Sequence, residues 1–196
     1  TKIMLKQTNK ILVTGGAGFI GSHLIDSLLA KGQHVICLDD FNDYYDPNIK
    51  KQNIAQHLIN PNFTLLQCDI CNLKQILHIF SEWSPEIVVH LAARAGVRPS
   101  LADPFLYTEV NIKGTLNILE AAAQTKVKRF IFGSSSSVYG INSKVPFSEN
   151  DPLLAPISPY AATKLAGEAF CHSYAHLYKM PTVALRFFTV YGPRQR

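Results

Sequence analysis

Short apolar runs alternate with longer amphipathic stretches along the whole chain. Ile11-Leu12-Val13 leads into a glycine cluster, and residues 19–31 then place Ile20, Leu24 and Leu28 at helical spacing. The series continues with Val35-Ile36-Cys37-Leu38, Phe63-Thr64-Leu65-Leu66, Ile87-Val88-Val89-His90-Leu91, Phe130-Ile131-Phe132 and Val183-Ala184-Leu185. Each run is short and apolar on both faces, and a helix-like stretch separates it from the next. Strands buried on both faces of a parallel sheet, joined by helical crossovers, read this way. Right-handed crossovers put helices on both faces, so the pattern predicts an α/β fold, a doubly wound parallel sheet of Rossmann-like type. Two longer helices are predicted. Residues 102–124 carry Phe105, Ile112, Leu116, Leu119 and Ala123, and residues 160–178 carry Ala166, Phe170, Ser173 and Leu177 on one stripe. The stretch 141–159 contains Pro146, Pro152, Pro156 and Pro159 and reads as an ordered loop. With no repeat or linker, residues 1–9 are read as a tail and residues 10–196 as one domain.

Composition narrows the class. Hydrophobic residues at 47% and charged residues at 17% exclude a disordered chain. No apolar run approaches the ~18 residues of a membrane span, and the N-terminal residues have no signal-peptide pattern. The net charge of +5 comes from scattered residues, with only Arg186, Arg194 and Arg196 clustered. That is no nucleic-acid stripe, and a small anion such as a diphosphate fits it better. Among Cys37, Cys68, Cys71 and Cys171, the pair Cys68 and Cys71 has CxxC spacing without a second pair or a nearby histidine. We therefore expect no metal site, but reduced thiols in a cytoplasmic protein.

The first chemistry-bearing segment is Gly15-Gly16-Ala17-Gly18-Phe19-Ile20-Gly21, between the first strand and the first helix. Glycines there permit a tight turn and let the backbone approach a pyrophosphate, whose charge the helix N-terminus stabilises. Asp39 follows at the end of the second strand, near the spacing expected of a ribose-binding carboxylate. Asp39 and Asp40 repel a 2′-phosphate and no arginine follows to receive one, so the expected cofactor is NAD rather than NADP. Two later strand ends complete the expected pocket: Cys68-Asp69-Ile70, where Asp69 can accept from the adenine amino group, and Leu91-Ala92-Ala93, whose small residues leave room.

The second is Tyr160-Ala161-Ala162-Thr163-Lys164, which puts Tyr160 and Lys164 on one helix face. A nearby ammonium and an oxidised nicotinamide both favour phenolate and would lower the Tyr160 pKa, making it a usable base. Gly133-Ser134-Ser135-Ser136-Ser137-Val138-Tyr139-Gly140 follows the fifth strand, where a hydroxyl can reach a reacting oxygen.

Six segments, TGGAGFIG, HLAARAG, VNIKGT, SSSSVYG, PYAATK and LRFFTVYGPRQR, stand in this order. Together they resemble the extended short-chain dehydrogenase/reductase family, and within it the NAD-dependent nucleotide-sugar epimerases and dehydratases. The resemblance implies Ser135 as the catalytic hydroxyl, Tyr160 as the base and Lys164 as the residue holding the nicotinamide ribose. It also implies Asn111 as the asparagine of the long helix, counted here with the cofactor site, and Phe187 and Phe188 as residues lining the nicotinamide side. Members continue well past this length, and their C-terminal part grips the nucleotide. This chain is expected to hold the cofactor domain while lacking most of that part.

The family divides by chemistry. Its dehydratases carry Asp and Glu after the catalytic hydroxyl, where this chain has Ser136 and Ser137, and elimination without added acid and base is hard to support. What remains is transient oxidation at C4 and return of the hydride to the other face. Asn42-Asp43-Tyr44-Tyr45-Asp46 and the YGPRQR ending resemble UDP-glucuronate 4-epimerases. They imply Thr189 and Arg196 as carboxylate-binding residues, alongside Ser136 and Ser137 in the sugar site. Competing readings put Arg194 or Arg196 on the diphosphate, or both in solvent. UDP-glucose epimerases and dehydratases remain alternatives, as does a non-catalytic NAD-sensing protein on the same fold. The expected partners are a UDP-sugar and a second copy of the chain, the latter packed through helices 102–124 and 160–178.

Overall fold

The computed structural model describes residues 9–141, 144–153 and 155–195. Six parallel strands form one sheet in the order β3-β2-β1-β4-β5-β6, with β1 (Lys10–Thr14), β2 (His34–Asp39), β3 (Phe63–Gln67), β4 (Ile87–His90), β5 (Arg129–Ser135) and β6 (Thr182–Phe187). The sequence direction reverses between β1 and β4, which opens a crevice at the carboxyl ends of those strands.

Alternate residues of each strand feed two cores. On one face Ile11, Val13, Val35 and Cys37 meet Ile25 and Ile54, from α1 (Phe19–Ala30) and α2 (Pro47–Ile54). On the other, Leu12, Ile36, Val88, Phe130 and Phe132 meet Ile76 and Phe80 of α3 (Leu73–Trp83), Ile118 and Leu119 of α6 (Thr115–Gln124) and Cys171 of α7 (Pro159–Tyr178). Each large apolar side chain contributes about 1.5–3 kcal/mol when fully buried. Ser158 caps α7 by accepting from the Ala161 amide at 3.0 Å, and Pro159 takes the first helical position, where no amide partner is needed.

Two expectations need correcting. The helix expected over residues 102–124 is broken. Asp103 leaves helical geometry after α4 (Val97–Ala102), and its carboxylate caps α5 (Pro104–Thr108) at Leu106 N, 2.9 Å away. A π-helical turn, Glu109–Gly114, then joins α5 to α6. Apolar spacing cannot register one extra residue in a turn, but packing can: a Cβ at Gly114 would lie 2.6 Å from Ile70 Cδ1. The sixth strand is also not buried on both faces. It is the sheet edge, covered by α7 on one side, and leaves Val183 54% and Leu185 40% exposed. Among the described residues, no helix is long and apolar enough to cross a membrane.

Candidate active site

A cavity of about 490 Å³ opens at the carboxyl ends of the strands. Its floor is the turn between β1 and α1. Gly15 has φ +66°, and a Cβ there would sit 2.8 Å from Ala92 N; a Cβ on Gly21 would come within 2.3 Å of Gly15 O. The close approach of β1, α1 and the segment after β4 therefore depends on glycine. Asp39 ties this turn to β2. Its carboxylate accepts from Ala17 N at 3.1 Å, from Phe41 N at 3.0 Å and from Lys50 Nζ at 3.2 Å. Lys50, on α2, is buried and also lies 3.7 Å from Asp40. Sequence reasoning, which considers only an arginine near these carboxylates, misses this lysine, and nothing in its polar surroundings marks it.

The cavity is lined by Gly15, Gly18, Phe19, Ile20 and Gly21, then Asp39, Asp69 and Ile70. Leu91, Ala92 and Ala93 form a further wall, and Tyr160, Lys164 and Phe187 close it. Tyr44, Tyr45, Arg94, Arg194 and Gln195 also line it; all five lie inside the sequence motifs, but only Arg194 is weighed there as a ligand contact. Phe188 turns away, 58% exposed, and packs near Phe147 and Tyr139.

Behind the wall a buried polar chain sets its geometry. Thr14 Oγ1 accepts from Leu91 N and Ala92 N, both at 3.2 Å, so its proton goes to His90 Nδ1 at 2.7 Å. His90 Nε2 then donates to Thr115 Oγ1 at 3.0 Å. Burial, with Lys164 nearby, lowers the His90 pKa to about 3, so the ring is neutral. In the sequence His90 stands in an apolar strand run and opens the HLAARAG segment, and a lone polar residue in such a run is the available signal. Asn111 is outside the lining. It accepts from Arg94 N at 2.7 Å and donates to Arg94 O at 3.0 Å and Thr163 Oγ1 at 3.1 Å, tying the segment after β4 to α7.

The structure brings Ser135, Tyr160 and Lys164 together where β5 ends against α7. Ser135 stands beside Tyr160 and favours its charged form, while its hydroxyl donates to Ser137 Oγ and accepts from Ser137 N, both at 3.1 Å. Lys164 Nζ donates to Gly133 O at 2.7 Å and stands 5.9 Å from the Tyr160 ring centre. Burial lowers its pKa to about 8. The expected fall of the Tyr160 pKa does not occur in the protein alone. Burial pushes the phenol up, Ser135 opposes this, and Tyr44 adds to the rise. The lysine ammonium donates to the Gly133 carbonyl, and burial of the phenol is the leading cause of the rise.

Ser136 and Ser137 lie half-buried in a 3₁₀ turn, Ser136–Tyr139, and Thr189 is exposed; none lines the cavity. Arg196 lies outside the described residues. Arg194 is half-buried rather than free in solvent. Its guanidinium reaches Asp26 Oδ2 at 2.8 Å, and His23 Nε2 donates to Pro193 O at 2.9 Å, so the chain after β6 folds back onto α1.

Residues 12–196 match the family model described as GDP-mannose 4,6 dehydratase. The chain belongs to that family. This bears out the family resemblance read from the six motifs. Protein CapI of Staphylococcus aureus is 47% identical over 184 residues, covering 94% of this chain and 55% of that protein. UDP-glucuronate 4-epimerase 4 of Arabidopsis thaliana is 46% identical, covering 93% and 42%. Among solved structures, UDP-glucuronic acid 4-epimerase from Bacillus cereus, in complex with UDP-glucuronic acid and NAD, superposes with a TM-score of 0.88 at 43% identity. It covers 95% of this chain and 59% of that one. UDP-glucose 4-epimerase of Thermus thermophilus, in complex with NAD, gives 0.85 at 38% identity, covering 95% and 57%. The chain thus spans about half the length of the relatives it matches.

Proposed function

We propose that this chain carries the cofactor site and the proton-transfer residues of an NAD-dependent UDP-sugar 4-epimerase, with UDP-glucuronate the favoured substrate. The observation that carries the reading is the convergence of Ser135, Tyr160 and Lys164 at the end of β5, beside a cavity floored by a glycine turn. The cavity suits a dinucleotide: the turn would be filled by any Cβ at Gly15 or Gly21, and an acidic residue stands at the end of β2.

NAD, when bound, supplies the reversible two-electron oxidation of the sugar at C4. The residues of the chain handle the proton. Tyr160 takes it from the C4 hydroxyl and later returns it, with Ser135 donating to the same oxygen. Lys164, one helical turn from Tyr160, holds the ribose end. Asp39 receives the adenosine ribose, and the amides that open α1 face the pyrophosphate. Ser136 and Ser137 place no carboxylate beside the sugar, which favours epimerisation over loss of water.

The names of the relatives support UDP-glucuronate, and so do Thr189 and Arg196, which supply a hydroxyl and a bidentate fork suited to a carboxylate. A UDP-glucose epimerase is the second reading, supported by the Thermus likeness. The apolar residues Leu101, Phe105 and Leu177, 64%, 86% and 67% exposed, support a homodimer through α4–α6 and α7. A panel of UDP-sugars, assayed without added NAD on protein expressed from its complete reading frame, tests the reading. Interconversion of UDP-glucuronate and UDP-galacturonate without net NADH is expected. Loss of water or steady NADH release would reject it.

A further inference from the structure

Three residues of α7, each one turn after the last, meet the three residues that end β5. Tyr160 stands beside Ser135, Lys164 donates to Gly133 O at 2.7 Å, and Glu168 accepts from the Ser134 hydroxyl. The first two contacts belong to the proton-transfer site; the third has no role in it so far. Glu168 is itself held from the far side. Arg186 of β6 grips it as a fork, Nε to Oε1 at 3.1 Å and Nη2 to Oε2 at 2.9 Å, with side chains only 12% and 17% exposed. The same guanidinium donates to Tyr139 OH and Glu149 O, both at 3.2 Å, and lies 4.9 Å from the Tyr139 ring centre. Tyr139 closes the turn that begins at Ser136.

Burying a carboxylate and a guanidinium is a poor way to add stability, because apolar replacements often do as well or better. What such a pair offers is direction. Gly133, Ser134 and Ser135 have no bulky side chains to lock the end of β5 by packing. A charged acceptor at Ser134 and a charged donor at Tyr139 fix the segment on both sides of Ser135. We propose that Glu168, held by Arg186, is a positioning residue: through the Ser134 hydroxyl it sets Ser135 against Tyr160. This rests on the epimerase reading, which assigns Ser135 and Tyr160 to proton transfer. Misplacement of a reacting group by about 1 Å can cost on the order of 10²-fold in rate.

The test uses Ser134→Ala and Glu168→Gln in NAD-loaded protein expressed from its complete reading frame. Ser134→Ala removes the hydroxyl and leaves the ion pair in place, so it keeps the test valid should Glu168→Gln fail to fold. Both variants are expected to lower kcat by up to about 10²-fold with KM for the UDP-sugar essentially unchanged. The acid limb of kcat, and an ultraviolet titration of the Tyr160 phenol read against Tyr160→Phe, are expected to move to higher pH as Ser135 moves away. The groups facing Tyr160 are Lys164 on its own helix, Tyr44 after β2, Tyr107 of α5 and Ser135 of β5. Glu168 is two helical turns away, about 12 Å along the axis. Loss of its negative charge alone would move the phenol to lower pH, opposite to the displacement expected. A lower melting temperature with kcat and the titration unmoved would overturn the proposal and leave a structural pair only. Wild-type protein without any interconversion would reject the functional reading instead. The ultraviolet titration would still decide the positioning role, because it does not depend on turnover.

Discussion

Lys164 Nζ lies 2.7 Å from the carbonyl oxygen of Gly133, so the residue expected to hold a cofactor ribose also pins the end of β5 to α7. Burial lowers its pKa from the ordinary 10.5 to about 8. Below about pH 8 the folded and unfolded chains both carry this proton, and folding must desolvate the ammonium. Between about pH 8 and 10.5 the unfolded chain still holds a proton that the folded chain has lost, so stability rises with pH across that window. The rise is at most about 1.4 kcal/mol per pH unit. Lys164→Met lacks this gain. Urea midpoints of wild type and variant, measured across the window, should therefore diverge in favour of wild type as pH increases. Parallel curves would mean that Lys164 titrates like a solvated amine.

The phenol of Tyr160 stands beside Ser135, which favours its charged form. Tyr160→Phe deletes the hydroxyl proposed to carry the proton and keeps the ring that meets Tyr107 edge-on at 6.2 Å. Turnover of the preferred UDP-sugar should fall by roughly 10²–10⁴, the range for a positioned base. NAD affinity by calorimetry should stay close to wild type, because the glycine turn and Asp39 are untouched. Wild-type turnover in this variant would remove Tyr160 from the chemistry.

The parts of this molecule that are legible in the sequence repeat at short range. Strand runs such as Val35–Leu38, the glycine turn and the Tyr160–Lys164 spacing each state a local geometry, and the sheet and cavity floor follow from them. What escapes depends on distant partners or on one-residue adjustments. Lys50 looks like one more surface lysine on a polar helix until α2 folds it against Asp39 and Asp40. Glu168 and Arg186, 18 residues apart, look like ordinary charges until α7 lies across β6. The π turn at Glu109–Gly114 keeps the apolar spacing nearly helical while redirecting Asn111. The Tyr160–Lys164 spacing suggests an ammonium beside the phenol, but the fold directs that ammonium to Gly133 O.

Lys50 bears on cofactor choice. Its ammonium is 3.2 Å from Asp39 and 3.7 Å from Asp40, so its charge is already neutralised where a 2′-phosphate would sit. Asp39→Ser should free the lysine and remove the repelling carboxylate. A charge-assisted hydrogen bond is worth about 1.5–3 kcal/mol, so affinity for NADP relative to NAD should rise by about 10- to 100-fold. Because Asp39 also accepts from Ala17 N and Phe41 N, absolute affinity for both cofactors should drop, and the ratio is the quantity to measure. Adding Lys50→Met should return the ratio toward wild type. A ratio unmoved by Asp39→Ser would show that Lys50 does not face the ribose.

Asp26 joins the first helix to the chain after β6. Its carboxylate meets Arg194 Nη2 at 2.8 Å and His57 Nε2 at 2.6 Å. Burial raises its pKa, but the bonds to His57 and Arg194 outweigh this and hold it below the usual value. The side chains of Asp26 and Arg194 are 31% and 24% exposed, so screening limits the pair to about 0–1 kcal/mol of stability. Its consequence is positional. Arg194 and Gln195 line the cavity, and Thr189 begins the segment that they end. Asp26→Ala therefore should change melting temperature little, while loosening the segment from Thr189 to Gln195, whose last two residues line the cavity. KM for UDP-glucuronate should rise several-fold, about 1 kcal/mol of lost binding, with kcat less affected. Among the described residues Arg194 Nη1 is buried without a hydrogen-bond partner, so they offer the guanidinium no second anchor once Asp26 is removed. His57→Gln provides the contrast: it removes a neighbour of Asp26 but keeps the Arg194 contact, and KM should stay near wild type. Equal rises in both variants would place the effect in α1 itself rather than in the tie to the chain after β6.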